Sequence, residues 1–325
     1  MTPEFGPVAT GLTRPRVAVL IPCYNEEVAI GQVVRDFRAS LPYATVHVYD
    51  NNSTDRTREI ARAAGALVRI EMLQGKGHVV RRMFADIDAD LYVLVDGDGT
   101  YDADAAPALI QLLRADGLDM VNASRVTDRT AAYRRGHLLG NHVLTGLVNT
   151  IFGKRLSDML SGYRVFSRRF VKSFPALSSG FETETELTVH ALELRMPIAE
   201  LPTRYIERQE GSTSKLRTYR DGMRILQTIV ILMKQERPLA FFSAIAVIML
   251  LIGLGLGIPV VLQFLASGTV PKLPSAVLAL GFVLIACLSF VCGLILDSVT
   301  RGRLEFKRLA YLSYPAPEVD PGNAF

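Results

Sequence analysis

From Pro238 to Pro271 the chain carries no charged residue, and from Leu273 to Leu296 it carries none again. Each run exceeds the roughly 20 apolar residues needed to cross a hydrocarbon core. A wholly soluble fold would have to bury both as a core hairpin, which runs of this length disfavour. The expectation is two membrane spans, at about 239–264 and 275–296. Gly253, Gly255, Gly257 and Pro259 lie in the first, and membrane helices tolerate such residues better than soluble ones do. Between the spans, Ala266 to Pro274 offers Gly268, Pro271 and Pro274 with a single lysine. Lys234 and Arg237 precede the hairpin, and Arg301, Arg303, Lys307 and Arg308 follow it. The excess of positive charge on both outer flanks predicts cytoplasmic ends and a short outside loop.

The net charge of +4 is then partly a topology signal. No aromatic-interleaved basic stripe or zinc spacing accompanies it, so no nucleic-acid partner is expected. Three cysteines, Cys23, Cys287 and Cys292, give no disulfide framework and suit a reducing compartment. Residues 1–13 lack a positive cluster followed by an apolar stretch, so they read as a flexible tail and not a signal peptide. Ordinary glycine and proline content excludes collagen-like and low-complexity classes.

Two stretches have apolar residues at helical spacing beside basic ones. One is His137 to Phe152, opened by Arg134 and Arg135. The other is Tyr219 to Met233, within a juxtamembrane segment at 218–237. Each could lie on a membrane surface, or simply face a protein core. The resulting domain plan is a large membrane-external domain at 14–217, the juxtamembrane helix, the hairpin at 238–298 and a cytoplasmic tail at 299–325.

Within 14–217, short Val- and Ile-rich runs alternate with helical patterns. Strands are expected at Arg16–Ile21, Thr45–Tyr49, Ala66–Ile70 and Leu91–Val95. Helices are expected over Glu26–Arg38, up to about Ala64, and over His78–Ile87. This alternation predicts an α/β domain with a mainly parallel sheet. Ligands on such sheets sit at the carboxyl ends of the strands, which is where Pro22, Asp50 and Asp96 fall. There, Asp96-Gly97-Asp98-Gly99-Thr100 places two carboxylates one residue apart on a sharp turn. Such a pair can converge on a hard divalent cation that also takes substrate phosphates. Asp-Gly pairs are also ordinary turn formers, so the turn alone leaves both readings open.

The motifs Ile21-Pro22-Cys23-Tyr24-Asn25-Glu26-Glu27, Asp50-Asn51-Asn52-Ser53-Thr54-Asp55, Gly75-Lys76-Gly77 and Asp96-Gly97-Asp98 resemble, in that order, the family 2 glycosyltransferases of the GT-A fold. Asp158-Met159-Leu160-Ser161-Gly162-Tyr163-Arg164 and Arg208 to Leu216 are similar to the polyprenyl-phosphate and dolichyl-phosphate hexose synthases. The resemblance covers about Arg16 to Leu216. It implies an enzyme of GT-A, Rossmann-like fold, with interfacial helices and a transmembrane hairpin. The implied reaction is inverting, metal-dependent transfer of a hexose from a UDP- or GDP-linked donor to a polyprenyl phosphate at the cytoplasmic membrane face. A homo-oligomer is compatible with it.

Residue roles follow from the resemblance alone. Pro22, Tyr24 and Glu26 would line the nucleoside pocket, and Asp50 and Asn51 would meet base or ribose. Many relatives have Asp where Asn51 stands. Lys76, Asp96 and Gly97 would face the donor, and Asp98, with Asp96, a Mg²⁺ or Mn²⁺ ion. Thr100 stands where relatives that use mannose often carry Gln. Arg125, Arg208 and Lys215 match basic positions that hold the donor diphosphate or the acceptor phosphate. Arg134, Arg135, Ser212 and Ser214 would contact the acceptor phosphate. Arg208 and Asp98 would act in catalysis, and Asp158 either as the base or by orienting Arg164 or the acceptor. Glu182, Glu184 and Glu186 are accounted for by placement at a helix N-terminus. Two rivals remain: a processive polysaccharide synthase, against which the absence of any Trp counts, and an inactive membrane-anchored nucleotide-sugar binder.

Overall fold

An unbroken apolar run, Val17 to Ile21, becomes an interior strand of a sheet because only a strand buried on both faces accommodates it. The computed structural model describes residues 15–126, 146, 156–176, 183–206, 231, 234–270 and 272–318. The expected helices at 137–152 and 219–233 lie outside these almost entirely, as do Arg134, Arg135, Arg208, Ser212, Ser214 and Lys215. The chain divides into two units: Met1–Lys215 with Ala310–Phe325, and Leu216–Leu309.

In the first unit, β1 (Val17–Cys23), α1 (Ile30–Ser40), β2 (Thr45–Asp50), α2 (Thr57–Ala63), β3 (Leu67–Ile70), α3 (Lys76–Asp86) and β4 (Leu91–Leu94) alternate as the sequence suggests. A short 3₁₀ turn, Ala103–Ala105, leads into α4 (Ala106–Ala115). Then come β5 (Met120–Val126), β6 (Arg164–Ser167), α5 (Arg168–Ser173), α6 (Thr183–Glu193) and β7 (Ile198–Arg204). The seven strands form one sheet in the order β3-β2-β1-β4-β6-β5-β7. Pairings are parallel except at β6, which runs antiparallel to β4 and β5. That reversal brings the N-terminal end of β6 to the edge where the other strands end.

Local boundaries differ from expectation in instructive ways. β1 runs on through Pro22 to Cys23 instead of stopping at the proline. Its pairing with β4 ends at Leu20, so Pro22 pairs only on the β2 side, the kind of position a strand allows to proline. α1 starts at Ile30, four residues later than expected. The backbone N–H groups of Asn25, Glu26 and Glu27 bond instead to Ser53 Oγ, Thr57 Oγ1 and Asp55 Oδ2. These bonds lace the loop after β1 to the loop after β2. Behind them, Ile30, Val33, Val34 and Phe37 of α1 pack on the sheet, each contributing about 1.5–3 kcal/mol by leaving water.

The second unit contains α7 (Pro238–Ser267) and most of α8 (Leu273–Leu312), both long and apolar enough to cross a membrane. Small residues let the two helices approach. A Cβ at Gly253 would stand 3.0 Å from Val283 Cγ2, and one at Gly293 would stand 3.0 Å from Phe242 Cβ. Close backbone approach at glycine is how membrane helices pack without a hydrophobic drive. The expected tail at 299–325 is helical as far as Leu312. Charged residues carry the helix past the apolar run, with Arg301 and Asp297 paired at 2.9 Å one turn apart.

Candidate active site

Three strand ends and one strand start meet at one edge of the sheet. β1 delivers Cys23 and Tyr24, β2 delivers Asp50 and Asn51, β4 leads into Asp96 and Asp98, and β6 is preceded by Asp158–Gly162. Gly99, at φ 73°, turns the chain after the two aspartates, a conformation that favours glycine. Gly97 is required sterically, since a Cβ there would fall 2.5 Å from Cys23 Sγ. Burial, with the nearby carboxylates of Glu26 and Asp50, pushes the Cys23 thiol well up. It is packing, not a nucleophile.

Lys76 opens α3 directly after Gly75, whose φ of 135° only glycine adopts readily. Its ammonium donates to Asp96 Oδ1 at 2.5 Å and to Glu184 Oε1. Burial alone would lower the lysine's pKa, but the two carboxylates outweigh it and raise it. Asp96 is also raised, by burial and by the like charges of Asp98 and Glu184, against the opposing pull of Lys76. Two carboxylates thus share one ammonium, with Asp98 close enough to Asp96 for its charge to be felt. Asp98 is aimed by its own turn: Thr100 donates to Asp98 Oδ1 from Oγ1 at 2.6 Å and from its backbone N–H at 3.2 Å. That is the observed work of Thr100.

Asn51 does something the sequence did not announce. Its amide donates to the carbonyls of Glu71 and Leu73 at 3.0 and 2.7 Å, and its Oδ1 accepts from Gly75 N–H at 2.7 Å. It therefore fastens the loop that presents Lys76. Asp50, fully buried, accepts from Ser53 N–H through Oδ2, while its Oδ1 takes no hydrogen bond from any described residue. Pro22, Tyr24 and Glu26 are half-buried at the same edge.

Asp158 grips Arg125 in a bidentate pair, Nε to Oδ2 at 2.7 Å and Nη2 to Oδ1 at 2.8 Å, with both side chains largely buried. Asp158 acts on Arg164 through its charge and not through a hydrogen bond. Arg164, 1% exposed, instead donates to the carbonyls of Met159 and Ser161 and to Thr188 Oγ1. It staples the 158–162 loop in shape, and burial lowers its pKa. Gly162 is the point where this loop meets Asp96. A Cβ there would lie 2.2 Å from Asp96 Oδ2. Gly162 N–H donates to Tyr101 Oη at 2.8 Å, and Tyr101 in turn packs edge-on against Tyr163 and Tyr205. Arg125 stacks 5.6 Å over the Tyr205 ring.

The structure thus brings together Asp96, Asp98, Lys76, Asp158 and Arg125 from the expected set. It adds Glu184, which helix-dipole placement does not account for: Glu184 is 7% exposed and ion-paired. It also adds Gly162, Thr100, Tyr101 and Arg164. The sequence signal for Glu184 was present, since acidic residues recur through 182–186, but its partner is 108 positions away.

Comparison with known proteins agrees with this geometry. Residues 18–174 match the model of the family Glycosyl transferase family 2. Glycosyltransferase AglJ of Haloferax volcanii is 33% identical over 303 residues, covering 92% of this chain and 99% of the relative. A dolichyl-phosphate hexose transferase from the same organism is 30% identical over 228 residues, covering 70% of this chain and 98% of the relative. Among solved structures, the Mycobacterium tuberculosis glucosyl-3-phosphoglycerate synthase in complex with Mn²⁺, UDP-glucose and phosphoglyceric acid aligns with a TM-score of 0.54 at 24% identity, over 68% of this chain and 79% of that one. At that identity the likeness speaks to fold, and the fold is the same α/β type built here around the Asp96–Asp98 turn. With a relative this similar along its whole length, the chain belongs to the family 2 glycosyltransferases and is a glycosyltransferase.

Proposed function

We propose that this enzyme transfers a single hexose, with inversion, from a nucleoside-diphosphate sugar to a polyprenyl phosphate at the cytoplasmic face of a membrane. The observation that carries the reading is the carboxylate-rich Asp96–Asp98 turn, with Lys76 paired to Asp96, in a chain that also has two membrane-length helices. Similarity to the Haloferax dolichyl-phosphate hexose transferase supports the lipid-phosphate acceptor.

The residues present suit a divalent cation. Asp98 and Asp96 offer hard oxygen donors. Among the described residues no group of three or more His, Cys, Asp or Glu is arranged to hold a metal ion. That fits a Mg²⁺ or Mn²⁺ site in which substrate phosphates complete the shell. When bound, the ion would neutralise charge growing on the leaving nucleoside diphosphate. Lys76, at the N-terminus of α3, adds a positive charge beside it. Asp50, Pro22, Tyr24 and Glu26 form the nucleoside end, and Asp50 Oδ1 suits a base N–H or ribose hydroxyl. Asn51 positions Lys76. Arg125, held by Asp158 and stacked on Tyr205, faces phosphate; Arg208 and Lys215, with Arg134, Arg135, Ser212 and Ser214, complete the phosphate contacts.

A phosphate monoester has a second pKa of roughly 6 and is already ionised near neutral pH. A general base is therefore dispensable, and Asp158 acts through Arg125. The purified protein in detergent, given tritiated UDP- and GDP-hexoses and a polyprenyl phosphate, should move label into the organic phase with one nucleotide. Excess EDTA should lower that rate by about 100-fold or more, the scale on which losing an electrostatic contact to the transition state acts. Full activity in EDTA would refute the cation, and no organic-phase label from any donor would refute the acceptor.

A further inference from the structure

We propose that Lys76 is the resident counter-cation of the unloaded site, yielding Asp96 when a divalent cation enters and then resting on Glu184 with a freed N–H turned to the donor diphosphate. This rests on the metal-dependent reading above. Four observations carry it. The ammonium bridges two carboxylates that come from different elements, Asp96 after β4 and Glu184 in the first turn of α6. Both lysine and glutamate side chains are nearly closed off, at 12% and 9% exposure, so the pair is weakly screened by solvent. The lysine's backbone cannot drift, because Gly75 is bonded to Asn51 Oδ1 at 2.7 Å and Asn51 is itself tied to Glu71 and Leu73. Its ammonium carries three N–H groups, and among the described residues it has these two acceptors.

Charge then decides the sequence of events. Without Lys76, the part-exposed carboxylate of Asp96 and the buried ones of Asp98 and Glu184 would repel one another, so the lysine helps hold them in place before substrate arrives. A dication added beside an intact ammonium is opposed at close range. Entry is therefore an exchange in which Asp96 passes from the lysine to the ion. Glu184 keeps the displaced ammonium from being stranded. This makes Glu184 a positioning residue for Lys76, with no contact to the reacting atoms required.

The test reads Mn²⁺ binding to the full-length protein in detergent, without nucleotide, from the free-ion signal in electron paramagnetic resonance. Lys76→Met should bind Mn²⁺ about tenfold or more tightly than wild type, because a repelling unit charge a few ångström away is gone. Lys76→Arg, which keeps the charge, should stay near wild type. Glu184→Gln should bind it severalfold more weakly, through loss of a negative charge and of the lysine's second anchor. Equal or weaker binding by K76M, with Mn²⁺ still bound in the presence of UDP, would overturn the exchange while leaving the cation reading intact. Failure of the wild type to bind Mn²⁺ even with UDP would overturn both. Should K76M not fold, E184Q decides alone: unchanged or tighter binding contradicts the proposal.

Discussion

Gly162→Ala should cost this enzyme about 100-fold or more in kcat/KM while leaving it folded, because an ångström-scale displacement at a reacting centre has effects of that size. The added methyl would sit 2.2 Å from Asp96 Oδ2, 2.7 Å from its Cγ and 3.0 Å from its Oδ1. No real contact is that short, so Asp96 must turn away. It is not free to do so cheaply, since its other oxygen is held by Lys76 at 2.5 Å. The backbone at Gly162 is not among the positive-φ positions, so alanine is tolerated there conformationally. The structural cost is thus overpacking alone, about 1–3 kcal/mol. Steady-state kinetics beside a thermal melt separate the two effects. A variant that melts within several degrees of wild type but keeps its activity would show that Asp96 need not sit where it does.

The second large effect concerns Asp158→Asn. Removing one member of a buried, bidentate ion pair leaves its partner uncompensated, which costs about 3–5 kcal/mol when the pair is fully enclosed. Asp158 is 7% exposed, and an asparagine still accepts from Leu160 N–H and in part from Arg125. About 3 kcal/mol is therefore expected, or roughly 6–12 °C in Tm for a domain of this size. Activity should fall by about 100-fold. What identifies the role is the double variant with Arg125→Met. If Asp158 acts through Arg125, the double variant is no slower than the worse single one, because the pair works as a unit. Losses that multiply would instead give Asp158 a catalytic task of its own.

Much of this site could be read from the sequence, and the reason is chemical density. Asp96-Gly97-Asp98 announces itself because its two carboxylates and its glycines lie within a few positions. The parallel sheet follows from apolar runs punctuated by turns, and the hairpin from the absence of charge. What stayed hidden depends on pairs that only folding brings together. Glu184 meets Lys76 across 108 positions, and Arg125 meets Asp158 across 33. The resemblance puts Asn51 at the base or ribose. Its amide also bonds the carbonyls of Glu71 and Leu73 and the N–H of Gly75, which spacing does not show. Arg164 looked like a partner for Asp158, yet the hydrogen bonds of its guanidinium run to carbonyls of its own loop, to Thr188 and to Met120 Sδ. Spacing cannot show which side chains are satisfied locally. That is decided by where the antiparallel β6 inserts between β4 and β5.

On the proposed reading, this enzyme differs from a polymer-forming enzyme of the same fold in stopping after one sugar. Two membrane-length helices offer a lipid-side anchor, and a lipid phosphate needs no deprotonation to attack. The product should then be a phosphodiester bearing one sugar. The most direct measurement is mass spectrometry and NMR of the lipid product made by the purified protein from its preferred donor. A single hexose joined through its anomeric carbon to the polyprenyl phosphate, with the anomer opposite to that of the donor, is the predicted result. A chain of several sugars, a retained anomer, or sugar attached to anything other than the lipid phosphate would contradict it.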